Sequence, residues 1–477
     1  MRLKISEIAK ILGPPLGEKR GEVTGYSIDS RTLRPGDLFF AVRGPRFDGH
    51  TFIERAWDFG AAGVVAERTW AAAHEARGAL FAVDDVARGL RELAADARRR
   101  WGRPIVGVTG SNGKTTTKDA IAALLARRFR VSKSEGNLNN DLGLPLSLLR
   151  ADEASEAGVF EMGMNHRGEI ARLARIAAPT VGVVTNVSEA HVEYFSSADE
   201  IALAKRELIE ALPADGTAVL NADDERVRAF RDVHGGPVVT FGAGDGADFQ
   251  ATRIETLGAE GVRFVLRRKG SAESVRFQSG LIGRHNAVNL AAALATASVF
   301  GIDSPDLLDA VGALRPASRR GETSRLGGAL IVDDCYNANP RAMEAMLAML
   351  ADTRAERRIA VLGEMRELGE RSEELHRQAG RAAAEHGIDL VLGVTGAARY
   401  IVDEAVRRGL PESRTVFFEQ PADAGEYVAN SLRPGDAVLF KASRGVALER
   451  ALAVVQARFS DAEPPCAATA LATKERP

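Results

Sequence analysis

The seven residues Thr109-Gly110-Ser111-Asn112-Gly113-Lys114-Thr115 constrain this chain more than any other stretch of it. They follow the apolar run Ile105-Val-Gly-Val108, which reads as a buried strand, and precede Thr116 to Arg127, whose spacing reads as a helix. Strand, glycine-rich turn and helix in that order begin a parallel α/β layer, because parallel strands must be joined by crossovers. The chemistry of the turn is as specific as its shape. Glycines let backbone N–H groups turn toward phosphate oxygens, a helix start adds a favourable field, Lys114 neutralises charge, and the Thr115 hydroxyl can hold Mg2+. Gly110, Ser111, Asn112, Gly113, Lys114, Thr115 and Thr116 are therefore the candidate contacts for the phosphates of a nucleotide. The strict phosphate-loop pattern has a glycine where this chain has Val108, so the loop is a relative of that pattern and not a copy.

With 477 residues the chain is too long for one ordinary core, and three domains are expected. Lys and Arg total 63 against 65 Asp and Glu, a formal charge of -2, which builds no large basic field for nucleic acid or an anionic membrane. An anionic ligand must be met by a local site. The two cysteines, Cys335 and Cys466, make neither a disulfide framework nor a zinc site. Residues 1–7 hold no apolar signal-like run, and no stretch reaches the apolar length needed to span a bilayer, so a cytoplasmic protein without membrane insertion is expected.

Residues 1–100 mix short apolar runs, Asp37 to Val42 and Gly63 to Ala66, with a helical stretch from Leu90 to Arg100, and read as a small α/β domain. Trp101-Gly102-Arg103-Pro104 punctuates the chain. The second domain, 101–315, carries the glycine-rich loop and further strands at Gly158 to Glu161 and Val181 to Val184, as a parallel sheet requires. A third, 316–458, alternates apolar runs at Leu330 to Asp333, Ile359 to Leu362, Leu390 to Gly393 and Ala437 to Phe440 with helical spacing. Residues 459–477 lack periodicity and are expected to form a mobile tail. The expected fold class is thus α/β in three domains, a small N-terminal one, a central sheet like that of phosphate-loop ATPases, and a C-terminal sheet like that of dinucleotide-binding folds.

Glu161 stands at the end of a buried strand, where a carboxylate is costly unless it is paired or metal-bound. Around it lie Gly136-Asn137-Leu138-Asn139-Asn140-Asp141, Glu161-Met-Gly-Met-Asn165-His166-Arg-Gly-Glu169, Thr185-Asn186-Val187 and Ala190-His191-Val-Glu193. Together with the Thr-Gly-x-x-Gly-Lys-Thr loop, these strings resemble, in their order and strand-end placement, the Mur ligases of peptidoglycan synthesis and their folylpolyglutamate synthetase relatives. The resemblance covers roughly residues 20 to 455 and implies an ATP-dependent, ADP-forming ligase. It implies that Thr115, Glu161 and His191 hold Mg2+, two ions in all, and that Lys205, in Ala204-Lys205-Arg206-Glu207, is carbamylated into a further anionic ligand. Lys114, Lys205 and His191 are the implied catalytic set.

In the C-terminal half, Gly283-Arg284-His285-Asn286-Ala287-Val288-Asn289 resembles the family's adenine segment, with Asn289 the contact. Arg320 in Arg-Gly-Glu322 and Asp334 in Asp333-Asp334-Cys335-Tyr336-Asn337-Ala338-Asn339-Pro340 match its phosphate and ribose contacts. Lys441-Ala442-Ser443-Arg444 resembles a Lys-Gly-Ser-Arg segment that meets the amino substrate or the phosphates. Near the amino terminus, Ser27-Ile-Asp29-Ser30-Arg31, Pro35-Gly36-Asp37 to Ala41 and Gly44-Pro-Arg-Phe47-Asp48-Gly49-His50 are similar to the uridine diphosphate sugar-binding domain of the peptide-adding members, with Ser30 and Arg31 the contacts. Three departures stand out: Cys335 replaces a usual serine, Ala442 a usual glycine, and Ala317-Ser318-Arg319-Arg320 a usual Pro-Gly-Arg, which leaves Arg319 as an alternative to Arg320.

The implied reaction is activation of a peptide carboxylate as an acyl phosphate, followed by attack of an amine. Within the family the strings point to the member that adds D-alanyl-D-alanine to a UDP-muramoyl tripeptide, working as a monomer. Asn139, Asn140, Asn165, His166, Asn337, Asn339, Lys441, Ser443 and Arg444 are its expected substrate contacts; the amides of Asn337 and Asn339, which both donate and accept, suit a neutral dipeptide. The alternatives are a diamino-acid-adding relative, or a nucleotide switch that ligates nothing.

Overall fold

The computed structural model describes residues 1–45, 47–188, 195 and 197–460. His191 and most of the expected tail, 461–477, lie outside the described residues. The helix Glu449–Ser460 takes in residues 459 and 460, which the expected boundary had given to the tail. Burial of Leu452 and Val455 on that helix anchors it. Among the described residues no helix is long and apolar enough to cross a membrane.

The chain forms two compact units, one of Met1–Glu255, Val262–Gly280 and Arg284–Leu314, the other of Thr256–Gly261, Leu281–Gly283 and the chain from Arg315 onward. In the first, a five-stranded sheet takes strands from Leu16–Gly17 to Ala79–Val83. The helix Val86–Trp101 follows it, opened by Asp85, whose side chain accepts from Arg88 N–H, and closed by Gly102 in the left-handed conformation. Its buried face, Val86, Leu90, Leu93, Ala94 and Ala97, recurs at helical spacing. One apolar cluster joins Phe40, Phe81 and Leu90 to Leu144, Phe160 and Leu173, so the first hundred residues and the segment 101–230 share a core. Arg98, itself buried, reaches from this helix to the carbonyls of Ala177 (2.5 Å) and Ala178 (3.0 Å) and caps the helix Glu169–Ala177.

The larger sheet of this unit has nine strands. Its strands Val131–Lys133, Ala157–Glu161, Ile105–Thr109, Val181–Val184, Thr217–Asn221, Val238–Gly242 and Phe249–Thr256 pair in parallel, in that spatial order. An antiparallel pair, Val262–Arg268 with Ser274–Ser279, ends the sheet. The chain leaves Ile105–Thr109 toward one side and returns on the other, which makes the end of that strand a topological switch point.

The second unit holds a six-stranded sheet in the order Glu322–Leu326, Ala329–Asp334, Asp436–Lys441, Arg357–Gly363, Leu390–Val394, Thr415–Phe418. Only the first pair is antiparallel. Its last strand in sequence is inserted between the second and third, so the loops after residues 334, 363 and 441 open at one edge.

Candidate active site

The glycine-rich loop leaves the switch-point strand and is pressed from both sides. Gly110 has φ 148° and Gly113 φ 80°. A Cβ on Gly110 would collide with Thr185 Oγ1, and one on Gly113 would lie 2.5 Å from Asn289 Oδ1. Glycine is required at both for steric reasons. Gly113 is also the N-cap of the helix Lys114–Leu125, with no side chain to accept its first-turn N–H groups, an arrangement suited to an anion. Lys114 Nζ lies over its own loop and donates to the carbonyls of Gly110 (2.8 Å) and Ser111 (3.2 Å). Thr116 is half-buried in the same turn.

Strand register sets Glu161 beside Val108, and its carboxylate meets the start of the loop helix. Glu161 is 2 % exposed; Oε2 accepts from the Thr115 hydroxyl at 2.7 Å and Oε1 from Asn139 Nδ2 at 2.7 Å. Among the described residues no cationic side chain pairs with it. A buried carboxylate balanced only by neutral donors, next to a hydroxyl at a phosphate loop, is an all-oxygen donor set of the kind Mg2+ takes. Lys205, on the helix Ala198–Glu210, is likewise buried and makes no hydrogen bond or ion pair with a described residue. Burial, and then the charge of Lys114, hold its ammonium well below the usual lysine range. The structure thus brings Lys114, Thr115, Glu161 and Lys205 to one place.

Two contributors here had escaped sequence reasoning. Glu207, two residues past Lys205, accepts from Gly168 N–H (2.7 Å) and Ala171 N–H (2.9 Å) and so fixes the start of the helix Glu169–Ala177. Ser134 Oγ accepts from Glu161 N–H at 3.0 Å. Neither has a local sequence signal. Asn289 is buried and donates to Asn286 Oδ1 (2.8 Å), beside Gly113. Asn140 Oδ1 accepts from Gly143 N–H (2.9 Å), and Asn165 and His166, both exposed, give their N–H groups to Glu169.

Ser30 is buried, whereas Arg31 is exposed and pairs with Asp29 at 2.7 Å, which holds the Asp29 carboxyl below the usual range. Behind the string ending in His50 stands a network that sequence reasoning had missed: His50 Nδ1 lies 2.6 Å from Asp48, and its Nε2 accepts from Glu67 N–H.

In the second unit, Lys441 Nζ lies 2.5 Å from Asp334 Oδ2 and 3.1 Å from the Asn337 carbonyl. Ser443 Oγ donates to the Ala338 carbonyl and accepts from Arg366 N–H, and Ser443 N–H donates to the Glu364 carbonyl. The guanidinium of Arg320 stacks on Tyr336 at 3.8 Å and that of Arg444 lies over the same ring at 5.7 Å. Arg319, at φ 60°, instead pairs with Glu449 at 2.8 Å. Asn339 Oδ1 is the N-cap of the helix Pro340–Asp352. Ala442 has no positive φ, so its methyl costs no backbone strain. Cys335 is buried, and burial raises its thiol far above the usual range, so it is an inert apolar replacement for serine. Glu364 and His376, which also shape this edge, carry no sequence signal.

Three family models match successive parts of the chain: "Mur ligase family, catalytic domain" over 22–98, "Mur ligase middle domain" over 108–297, and "Mur ligase, glutamate ligase domain" over 319–444. The chain is 34% identical over 450 residues to the UDP-N-acetylmuramoyl-tripeptide--D-alanyl-D-alanine ligase of Bacillus subtilis, covering 93% of this chain and 96% of that one. It is 35% identical over 393 residues to the enzyme of the same name from Escherichia coli, covering 82% and 85%. Among solved structures it is similar to MurF of Acinetobacter baumannii, with TM-score 0.85, 28% identity and coverage of 96% and 99%. MurF ligase of Thermotoga maritima in complex with ADP matches with TM-score 0.79, 31% identity and coverage of 92% and 98%.

Proposed function

The chain belongs to the Mur ligase family, and from that premise we propose that it joins D-alanyl-D-alanine to a UDP-N-acetylmuramoyl tripeptide, using ATP and releasing ADP and phosphate. One observation carries the chemistry: a phosphate loop at a sheet switch point, its Thr115 hydroxyl on a buried carboxylate that no described cation balances. The choice of amine rests on the Bacillus subtilis relative, alike over 93% of this chain.

A carboxylate is a poor electrophile because it has no good leaving group. Transfer of the γ-phosphoryl group of ATP to the tripeptide carboxylate gives an acyl phosphate, and phosphate then leaves when the amine attacks. The protein's work is to position reactants and neutralise charge. Loop N–H groups and the start of the Lys114–Leu125 helix face the phosphates, and Lys114 swings from its loop carbonyls onto them. Thr115 and Glu161, with His191 and a carbamate on Lys205, would hold Mg2+, which offsets the repulsion between the two approaching anions. The depressed ammonium of Lys205 favours the modification, since only the neutral amine attacks carbon dioxide, forming an N–C bond and releasing a proton. Asn289 would meet the adenine and Asp334 the ribose. Ser30 and Arg31 would hold the uridine diphosphate, Asn337 and the Lys441–Arg444 segment the dipeptide. The enzyme would work as a monomer, and the reaction belongs in the ATP-supplied cytoplasm.

The test is incubation with ATP, Mg2+, UDP-muramoyl dipeptide or tripeptide acceptors, and D-alanyl-D-alanine, lysine or diaminopimelate in competition, with mass analysis of products. Tripeptide plus D-alanyl-D-alanine should give the pentapeptide. Preference for a diamino acid on the dipeptide acceptor would overturn the amine assignment, and ATP turnover without any ligated product would overturn ligation.

A further inference from the structure

The backbone of the phosphate loop is held by one side-chain amide. Asn186 lies just past the end of the Val181–Val184 strand, and its amide faces residue Asn112 in the middle of the loop. Asn186 Oδ1 accepts from Asn112 N–H at 3.0 Å, and Asn186 Nδ2 donates to the Asn112 carbonyl at 3.0 Å. This is the pairing one strand makes to another, supplied by a side chain. The main chain continues it, because Ser111 N–H donates to the Asn186 carbonyl at 2.8 Å. Thr185 Oγ1 gives the Asn112 carbonyl a second donor at 2.6 Å, and Ser188 N–H donates to Ser111 Oγ at 2.9 Å.

We infer that Asn186 is a positioning residue for nucleotide binding: its amide, by engaging both groups of Asn112, sets the orientation of the phosphate loop before ATP arrives. Three consequences follow from the geometry. With the Asn112 carbonyl occupied by Asn186 and Thr185, that oxygen is held on the Thr185–Asn186 side of the loop and is not free to turn toward a bound phosphate, which it would repel. Glycines at 110 and 113 make the loop intrinsically loose, so an external clamp removes entropy that nucleotide binding would otherwise have to remove. Finally, the clamping segment runs on to Ser188, whose Oγ accepts from Asn112 Nδ2 at 3.0 Å and whose N–H donates to Ser111 Oγ, so the same segment grips the loop at two further points.

A side chain that only stabilised the fold would not discriminate among substrates, and this separates the two roles. The inference rests on the ATP-site reading, so ADP binding by the unaltered protein is measured first, by calorimetry; absence of binding there would sink that reading and this inference with it, whereas the variants below, made in a protein that binds ADP, test this inference alone. Asn186→Ala should raise the ADP Kd and the ATP KM roughly tenfold, as expected for the loss of two hydrogen bonds, while the KM values of acceptor and dipeptide stay put. Asn186→Asp keeps the acceptor for Asn112 N–H but turns a second oxygen on the Asn112 carbonyl and adds negative charge beside the phosphates, so its loss should exceed that of the alanine variant. Unchanged ADP affinity in a folded Asn186→Ala protein, or an aspartate variant better than the alanine one, would overturn the assignment. A measurement on the unaltered protein stands if the variants fail to fold. Hydrogen exchange at Asn112 should already be slow without nucleotide, and exchange at the rate of an open loop there would equally overturn it.

Discussion

Thr115 Oγ1 donates to Glu161 Oε2 at 2.7 Å across 46 residues of sequence, joining the first turn of the loop helix to the end of the adjacent strand. Asn139 supplies the second donor to the same carboxylate. Removing one oxygen of Glu161 therefore removes a proposed metal ligand while leaving a side chain of the same shape. Glu161→Gln should lower ADP formation about a hundredfold or more, yet leave the melting temperature unchanged or raised, since a buried charge has gone. Turnover near that of the unaltered enzyme would end the metal-ligand assignment.

Lys205 should carry a carbamate in the working enzyme. With 13C-labelled bicarbonate, a carbamate resonance should appear in the unaltered protein and be absent from Lys205→Met, whose ligation should fall at least about a hundredfold. Full activity in Lys205→Met, or labelled protein with no such resonance while active, rejects the modification.

His376 is fully buried; its Nε2 accepts from Met365 N–H at 2.9 Å and its Nδ1 lies 2.6 Å from the Ser372 carbonyl, so it is neutral with the proton on Nδ1. Burial lowers its pKa, and this outweighs the opposing effects of the Ser372 carbonyl and Glu364. Between the lowered folded value and 6.5 the unfolded chain binds the extra proton, so stability rises with pH through that window. The contribution is complete above 6.5 and is lost as pH falls. Denaturant melts from pH 7.5 down to 5 should show this slope, and His376→Gln should flatten it. An equal slope in both proteins would assign it to other groups.

Lys441 and Asp334 face each other in strand register and are 2.5 Å apart, with Lys441 2 % exposed. Lys441→Met leaves the Asp334 carboxylate without its partner and should cost roughly 3–5 kcal/mol, whereas adding Asp334→Asn to it should recover part of that loss. Additive costs in the double variant would show that the pair is uncoupled.

The parallel strands at 105–109, 157–161 and 181–184 were legible because both their faces are covered, which makes them continuous apolar runs. The hairpin Val262–Arg268 and Ser274–Ser279 was not, because its outward positions carry Arg263, Arg276 and Gln278 and its inward ones mix Val262, Phe264, Leu266, Val275 and Phe277 with Ser279. A half-exposed strand with charged outer residues has too weak an apolar signal to separate it from a loop. The site divides in the same way. Lys114 and Thr115 announced themselves through their glycine neighbours, while Glu207, Asn186 and His376 act on backbone groups 39, 74 and 11 residues away.

By itself the sequence determined the phosphate loop and the family, because both rest on contiguous residues whose backbone needs and order along the chain are local properties. Tertiary structure alone decided that Lys205 is buried without a described partner, that Glu161 is met by Thr115 and Asn139, and that Asn186 closes on Asn112. Burial and pairing of this kind depend on strand register and on which elements pack together. Those are set by the summed contacts of the core, and no short stretch of residues contains them.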